Sequence, residues 1–275
     1  MKHAITLLTV FFGLTLWAQE EAPSDTTKTE TTVKFGDIDV IVKKDGDKTE
    51  ADFEVDEDDG EPDKEELTWW GGVDLGVNTL VTSSGSTTLP EDDQWLSTEP
   101  IRSLSWNLNL FETKIRLVKD HVGILTGLGL TYNSYGLKNN VAVMSNSDST
   151  FAMMVPDSLY TLDKNKLRAT YVRVPLMLEF NTSLDPDRSF HLAAGVIGGV
   201  RIGSITKQEF QIDDQKYKNR VKDDFNISPF TLDASVRVGY SNFTIFANYG
   251  LTPLFESGKG PEVYPVTVGI SLVPL

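Results

Sequence analysis

The chain contains no cysteine. It therefore has no disulfide framework, and no thioether lipid anchor can follow a leader peptide. It also lacks a long apolar run. The longest, Ala4 to Trp17, covers about 14 residues, short of the roughly 20 that a bilayer-spanning helix needs, so helical membrane proteins are excluded. Histidine is scarce: His3 lies in the leader, and His121 and His191 fall beside short connections. A lipid-modifying enzyme would need a histidine with a serine and an acid at the outer rim. A catalytic metal would need clustered ligands at suitable spacing. Neither pattern is present in the sequence, so no catalytic residue, metal or cofactor is expected and the chain is read as non-enzymatic. Basic residues are in deficit as well, with 25 Lys and Arg against 40 Asp and Glu for a net charge of −15, and nucleic acid is not an expected partner.

The N-terminus reads as a secretory signal peptide over residues 1–18, with cleavage expected after Ala18. Residues 20–66 hold 19 acids and 6 bases, so nearly all the net charge sits in one segment. Residues 19–66 are read as an acidic, largely disordered periplasmic extension. Within it, Val33 to Val42 carries enough β-branched residues for a short hairpin with Phe53-Glu54-Val55.

From Leu67 to Leu275 the sequence alternates apolar and polar residues in eight runs. The runs cover Leu67–Leu80, Leu104–Leu117, Val122–Leu137, Leu167–Asn181, His191–Ser204, Phe230–Val238, Phe243–Tyr249 and Tyr264–Leu272. The second changes phase at Leu110-Phe111, which predicts a β-bulge. Connections alternate long and short, as extracellular loops and periplasmic turns do in outer-membrane barrels. The fold class is thus all-β: an eight-stranded antiparallel transmembrane β-barrel domain over 67–275. Several strands exceed the 9–11 residues needed to cross a bilayer, so the sheet should project on the loop side. Trp69, Trp70, Tyr171, Tyr240, Tyr249 and Tyr264 are assigned to interfacial girdles. A soluble barrel with apolar residues inside is the alternative fold, and the arginine-rich polar face argues against it.

This register turns Asp74, Glu112, Glu179 and Asp233 inward with Lys114, Arg116, Arg173, Arg201 and Arg237. An eight-stranded lumen is only wide enough for side chains, so these nearly balanced charges are read as internal ion pairs rather than a pore lining. In the loops, Trp95 is either a packing or a partner-contact residue. Phe151, Met153 and Met154 make an apolar patch, either adhesive or, as preferred here, an extension of the sheet.

Three stretches carry a resemblance. They are Thr126 to Tyr135; Tyr171 to Asn181 with Pro175 inside it; and Leu251 to Phe255 with Lys259-Gly260-Pro261 and Pro265. Together they resemble the PorT-like outer-membrane β-barrel proteins of Bacteroidota. The resemblance implies the outer membrane of a Gram-negative bacterium and an eight-stranded barrel of OmpA/OmpX-like architecture, and it brings no shared catalytic residues. The expected role is structural or interactive, through long extracellular loops. The alternative is an accessory of a secretion or transport machine that docks through the acidic segment. Expected partners are outer-membrane lipid, and proteins at the loops or the acidic segment, for a monomeric barrel.

Overall fold

The computed structural model describes residues 29–35, 38–45 and 48–55 by their backbone, and 68–118, 121–212 and 215–271 in full. The expected leader, residues 1–18, and residues 56–66 of the acidic extension lie outside the described residues. The chain divides into two units, 1–62 and 63–275. In the first, β1 (Thr29–Phe35), β2 (Ile38–Asp45) and β3 (Lys48–Val55) form an antiparallel meander. The sequence suggests one hairpin from a strand running unbroken over Val33–Val42. The backbone instead ends β1 at Phe35 and starts β2 at Ile38, so Val33 faces Val40 and Val40 faces Phe53.

The second unit is a closed ring. Its eight members are β4 (Gly72–Thr82), β5 (Leu104–Val118), β6 (Val122–Gly136), β9 (Leu162–Asn181), β10 (Phe190–Ile212), β12 (Phe230–Tyr240), β13 (Phe243–Gly250) and β14 (Val263–Ser271). Every neighbour is antiparallel, and closure comes from β14 pairing with β4. Two further elements lie in the long connections. A hairpin of β7 (Val141–Ser145) and β8 (Thr150–Met154) forms its own sheet, and β11 (Gln215–Lys222) pairs with the far half of β10. The expected loops at 138–166 and 205–226 are therefore partly strand.

Pairing skips a residue between Asn109 and Phe111, where the phase change predicts a bulge. Gly127 faces this bulge, and a Cβ there would run into the Phe111 carbonyl, so only glycine fits. The β6–β9 ladder is interrupted opposite Pro175, resuming from Thr126↔Leu176 at Gly129↔Arg173. Proline offers no N–H to that ladder.

The two faces of the ring differ sharply. Leu75, Trp106, Leu128, Val174, Leu176, Val236, Ile245 and Val268 stand exposed on the outside, while Asp74, Asn107, Thr131, Arg173, Glu179, Ser235 and Arg237 are buried inside. A soluble ligand-carrying barrel would reverse this. Aromatic residues edge the outer face at both ends. Phe180, Phe190, Tyr240 and Phe243 lie at the short-turn end, and Trp106, Tyr132, Phe230, Tyr249 and Tyr264 at the long-loop end. Trp106 stacks on Tyr132 and Tyr249 on Tyr264. On β10 the band runs from Phe190, opposite Tyr240, to Val200, opposite Phe230. That is about 33 Å of strand, or about 25 Å of height at a tilt of about 40°, matching the apolar belt of a membrane barrel.

The girdle expectation needs correcting at three residues. Trp69, Trp70 and Tyr171 are buried inside, at 7%, 2% and 3% exposure. Gly72 has φ +109, a left-handed conformation that suits glycine, and it turns the preceding residues into the ring. Tyr171 shares the inward parity of Arg173 and Glu179 on β9.

Candidate functional site: the filled lumen and its crown

The lumen is built from alternate residues of all eight strands, so its chemistry follows from register. Three ion pairs span it. Arg237 grips Asp74 bidentately, with Nη1 donating to Oδ2 at 3.0 Å and Nη2 to Oδ1 at 2.9 Å. The guanidinium also lies over the rings of Trp70 and Phe246. Asn109 and Asn107 donate to the same carboxylate at 3.1 and 3.3 Å, so its lone pairs are satisfied. Lys114 donates to Glu179 at 3.0 Å, and Asn181 adds a second donor at 3.2 Å. Arg173 pairs with Asp233. In a dry interior such pairs hold only because the geometry and the extra donors offset desolvation.

The other expected lumen residues take different places. Glu112 faces inward but accepts the backbone N–H groups of Trp70 and Gly71, at 3.0 and 2.8 Å, and so pins the turn into β4. Arg116 is exposed at the short-turn end. Arg201 sits at a β10 bulge and donates to the Ser204 hydroxyl at 2.9 Å and the Asp224 carbonyl at 3.0 Å, above the lumen pairs.

The parity rule also turns apolar residues inward that charge-counting passes over. Trp70, Leu125, Met177, Ala193 and Ile197 form a buried cluster inside the ring. Below it Trp69 stacks on His191 with ring centres 4.0 Å apart, and donates from Nε1 to Asn181 at 3.1 Å. His191 is a packed residue, with Nε2 2.7 Å from the Thr244 hydroxyl. Two tryptophans thus seal the short-turn end. The sequence signal for this floor is the Trp69-Trp70-Gly71-Gly72 string, where paired glycines break the alternation.

The long-loop end is closed by a crown with its own core. All four long connections contribute: Leu89 and Leu96; Leu137, Val141 and Val143; Phe225 and Ile227; Leu254 and Phe255. They pack on Leu80, Tyr135, Leu167, Tyr171 and Val263 at the strand tops, with Trp95 against them as a packing residue. Polar ties cross between connections. The Thr150 amide donates to the Lys259 carbonyl at 2.7 Å, Asn226 donates to the Thr150 hydroxyl at 3.0 Å, and Ser228 N–H to Leu254 at 2.9 Å. Phe225 and Asn226 hold φ of +50 and +45, an unfavourable conformation for non-glycine residues that burial of Phe225 and the Asn226 side-chain bonds fix in place. Between crown and ion pairs lies a cavity of about 20 Å³, lined by Tyr135, Tyr171, Arg173, Asp233, Leu254 and Pro265, room for about one water.

The β7–β8 hairpin forms part of this crown and does not extend the barrel sheet, as the sequence suggests it would. Its inner face, with Val141 and Val143, packs into the crown core. Its outer face turns Met144, Phe151 and Met153 to solvent, at 43%, 39% and 55% exposure, and Met154 at its end is 72% exposed. Among the described residues no group of three or more His, Cys, Asp or Glu is placed to hold a metal.

Residues 72–256 match the family described as outer membrane protein beta-barrel domain. The chain belongs to that family. An outer membrane protein beta-barrel domain, with its apolar band facing outward, lies in the outer membrane of a Gram-negative bacterium and is bathed by its lipid. The long connections of this domain are then the extracellular loops and the short ones the periplasmic turns. No curated protein matches the chain. Among solved structures, Ail, the attachment invasion locus protein of Yersinia pestis, in complex with the heparin analogue sucrose octasulfate, aligns at 12% identity, covering 72% of this chain and 91% of that one, with a TM-score of 0.27.

Proposed function

We propose that this outer-membrane barrel is a non-enzymatic interaction protein, and that its ordered crown presents the β7–β8 hairpin to a protein partner. The observation that carries this reading is the outward face of that hairpin. A monomeric surface has little reason to expose contiguous apolar residues, and methionine side chains adapt to partner shapes. A lumen filled with paired charges and apolar side chains serves as scaffold, holding the loops rather than conducting solute. The PorT-like resemblance fits the scaffold role, because its three stretches supply Tyr135, Tyr171, Arg173, Leu254 and Pro265 around the small cavity where crown meets lumen.

The test is site-specific photo-crosslinking on intact cells. A crosslinker at Phe151 should give one discrete protein adduct, which Met144→Gln with Met153→Gln abolishes, while a crosslinker at Leu184 in a periplasmic turn gives no such adduct. Adducts arising only from crosslinkers at residues 19–66 would replace this reading with that of an accessory docking through the acidic segment.

A further inference from the structure

Above the membrane band, β9, β10 and β11 continue as a three-stranded flap. On β9 the even residues, from Lys164 to Phe180, all share the outward, lipid-facing parity. The bulge between Arg201 and Gly203 resets the phase of β10, so its odd residues now stand beside them. Reading across the strands, Arg168 lies beside Ile205 and Lys222; Lys166 beside Lys207 and Arg220; and Lys164 beside Glu209 and Lys218. Over these three rows one face of the flap therefore carries seven cations and one carboxylate.

The carboxylate does not neutralise this face. Glu209 is bridged by Lys164 at 2.8 Å and Lys207 at 2.7 Å, and those two bonds pull its carboxyl down to about 2. Lys166 is held below the usual lysine range by partial burial and by the surrounding positive charges of Arg168, Lys164, Lys207 and Arg102. Like charges crowded in this way are stabilised by an external anion. Position decides which anion. The lowest row begins at the upper girdle, where the Arg168 guanidinium lies over the ring of Tyr132, 5.6 Å from its centre, and Tyr132 stacks on Trp106. The cationic face therefore starts where the outer leaflet ends and looks sideways along it.

We infer that the outward face of this flap binds the phosphate groups of outer-leaflet glycolipid, with Lys218, Arg220 and Lys222 of the exposed β11 strand as its accessible edge. Such a face tethers lipid beside β9 and β10 and orients the crown relative to the membrane surface. It does not use the hairpin, which packs on the opposite face of the flap, where the Val141 carbonyl accepts from Asn165 at 2.6 Å and from Gln208 at 3.3 Å.

The test titrates the full chain, released in non-ionic detergent, with diphosphoryl lipid A and with lipid A stripped of phosphate, reading bound lipid by native mass spectrometry. The phosphorylated lipid should bind at least about tenfold more tightly, with the difference shrinking as salt is raised. The triple variant Lys218→Glu, Arg220→Glu, Lys222→Glu should lose that preference while keeping its heat-modifiable mobility, which reports the folded barrel. Equal binding of the two lipids, or an unchanged preference in the folded triple variant, overturns the inference. Displacement of the lipid by inorganic phosphate or a soluble sulfated glycan at matched anion concentration overturns the lipid as the source of the phosphate.

Discussion

Replacing Asp74 with alanine should destabilise the folded barrel by about 3–5 kcal/mol, because it leaves the Arg237 guanidinium buried without its carboxylate. Both groups are nearly inaccessible, with side-chain exposures of 1% for Asp74 and 2% for Arg237, so the stranded charge stays out of reach of bulk solvent. The double variant Asp74→Leu, Arg237→Met should recover most of the loss, since an apolar pair of similar volume removes the stranded charge. Arg188→Ala at the exposed periplasmic turn, where the ion pair to Asp185 spans 3.9 Å, should leave the midpoint unchanged. Urea unfolding in lipid vesicles, scored by the fraction migrating as the compact unboiled species, separates these outcomes. A double variant as unstable as the single one would mean that Asp74 acts through something other than Arg237.

Leu176→Arg carries the second large effect. Leu176 is 58% exposed, lies midway along the outer face of β9, and pairs with Thr126 on one side and Val196 on the other. If the outer face meets hydrocarbon, an arginine there should cost about 2–4 kcal/mol, falling to about 0–1 for Ile202→Arg near the rim. In a water-soluble barrel the same exposed position would accept arginine at no cost. The depth dependence therefore reports which medium surrounds the ring, in the same vesicle unfolding assay.

What the sequence revealed and what it hid follow the same physics. Inside the membrane each strand meets two unlike media, so Val172, Val174, Leu176 and Leu178 alternate with Arg173 and Glu179, and both strand and face can be read. Where two such runs meet out of phase, at Leu110-Phe111, the bulge is legible too. Above the membrane both faces of the flap meet water or polar crown, and Lys164-Asn165-Lys166 or Lys207-Gln208-Glu209 leave no apolar lane. For that reason β9 begins at Leu162 and β10 ends at Ile212, further out than alternation suggests. The alternation through Val73 and Leu75 puts Trp69 outward and the nearness of Trp70 to a strand end suggests a girdle, but the backbone turns at Gly72 and takes both rings inside. The crown draws Leu96, Val141, Phe225 and Leu254 together from four connections far apart in sequence, and no local pattern announces such a core. The hairpin at Met153-Met154 is visible as strand-forming, but whether it joins the ring depends on that core.

The absence of cysteine permits the most direct test of the central claim, a lipid-embedded ring with its crown outside the cell. Single substitutions Ser86→Cys in the first long loop, Asp187→Cys in a periplasmic turn and Leu176→Cys on the band introduce a unique thiol each. Intact cells are then treated with a membrane-impermeant maleimide. Ser86→Cys should label at once, Asp187→Cys only after the outer membrane is permeabilised, and Leu176→Cys only after the protein is unfolded. Labelling of Leu176→Cys in intact cells, or of Asp187→Cys before Ser86→Cys, would contradict the lipid-facing band or the orientation of the barrel.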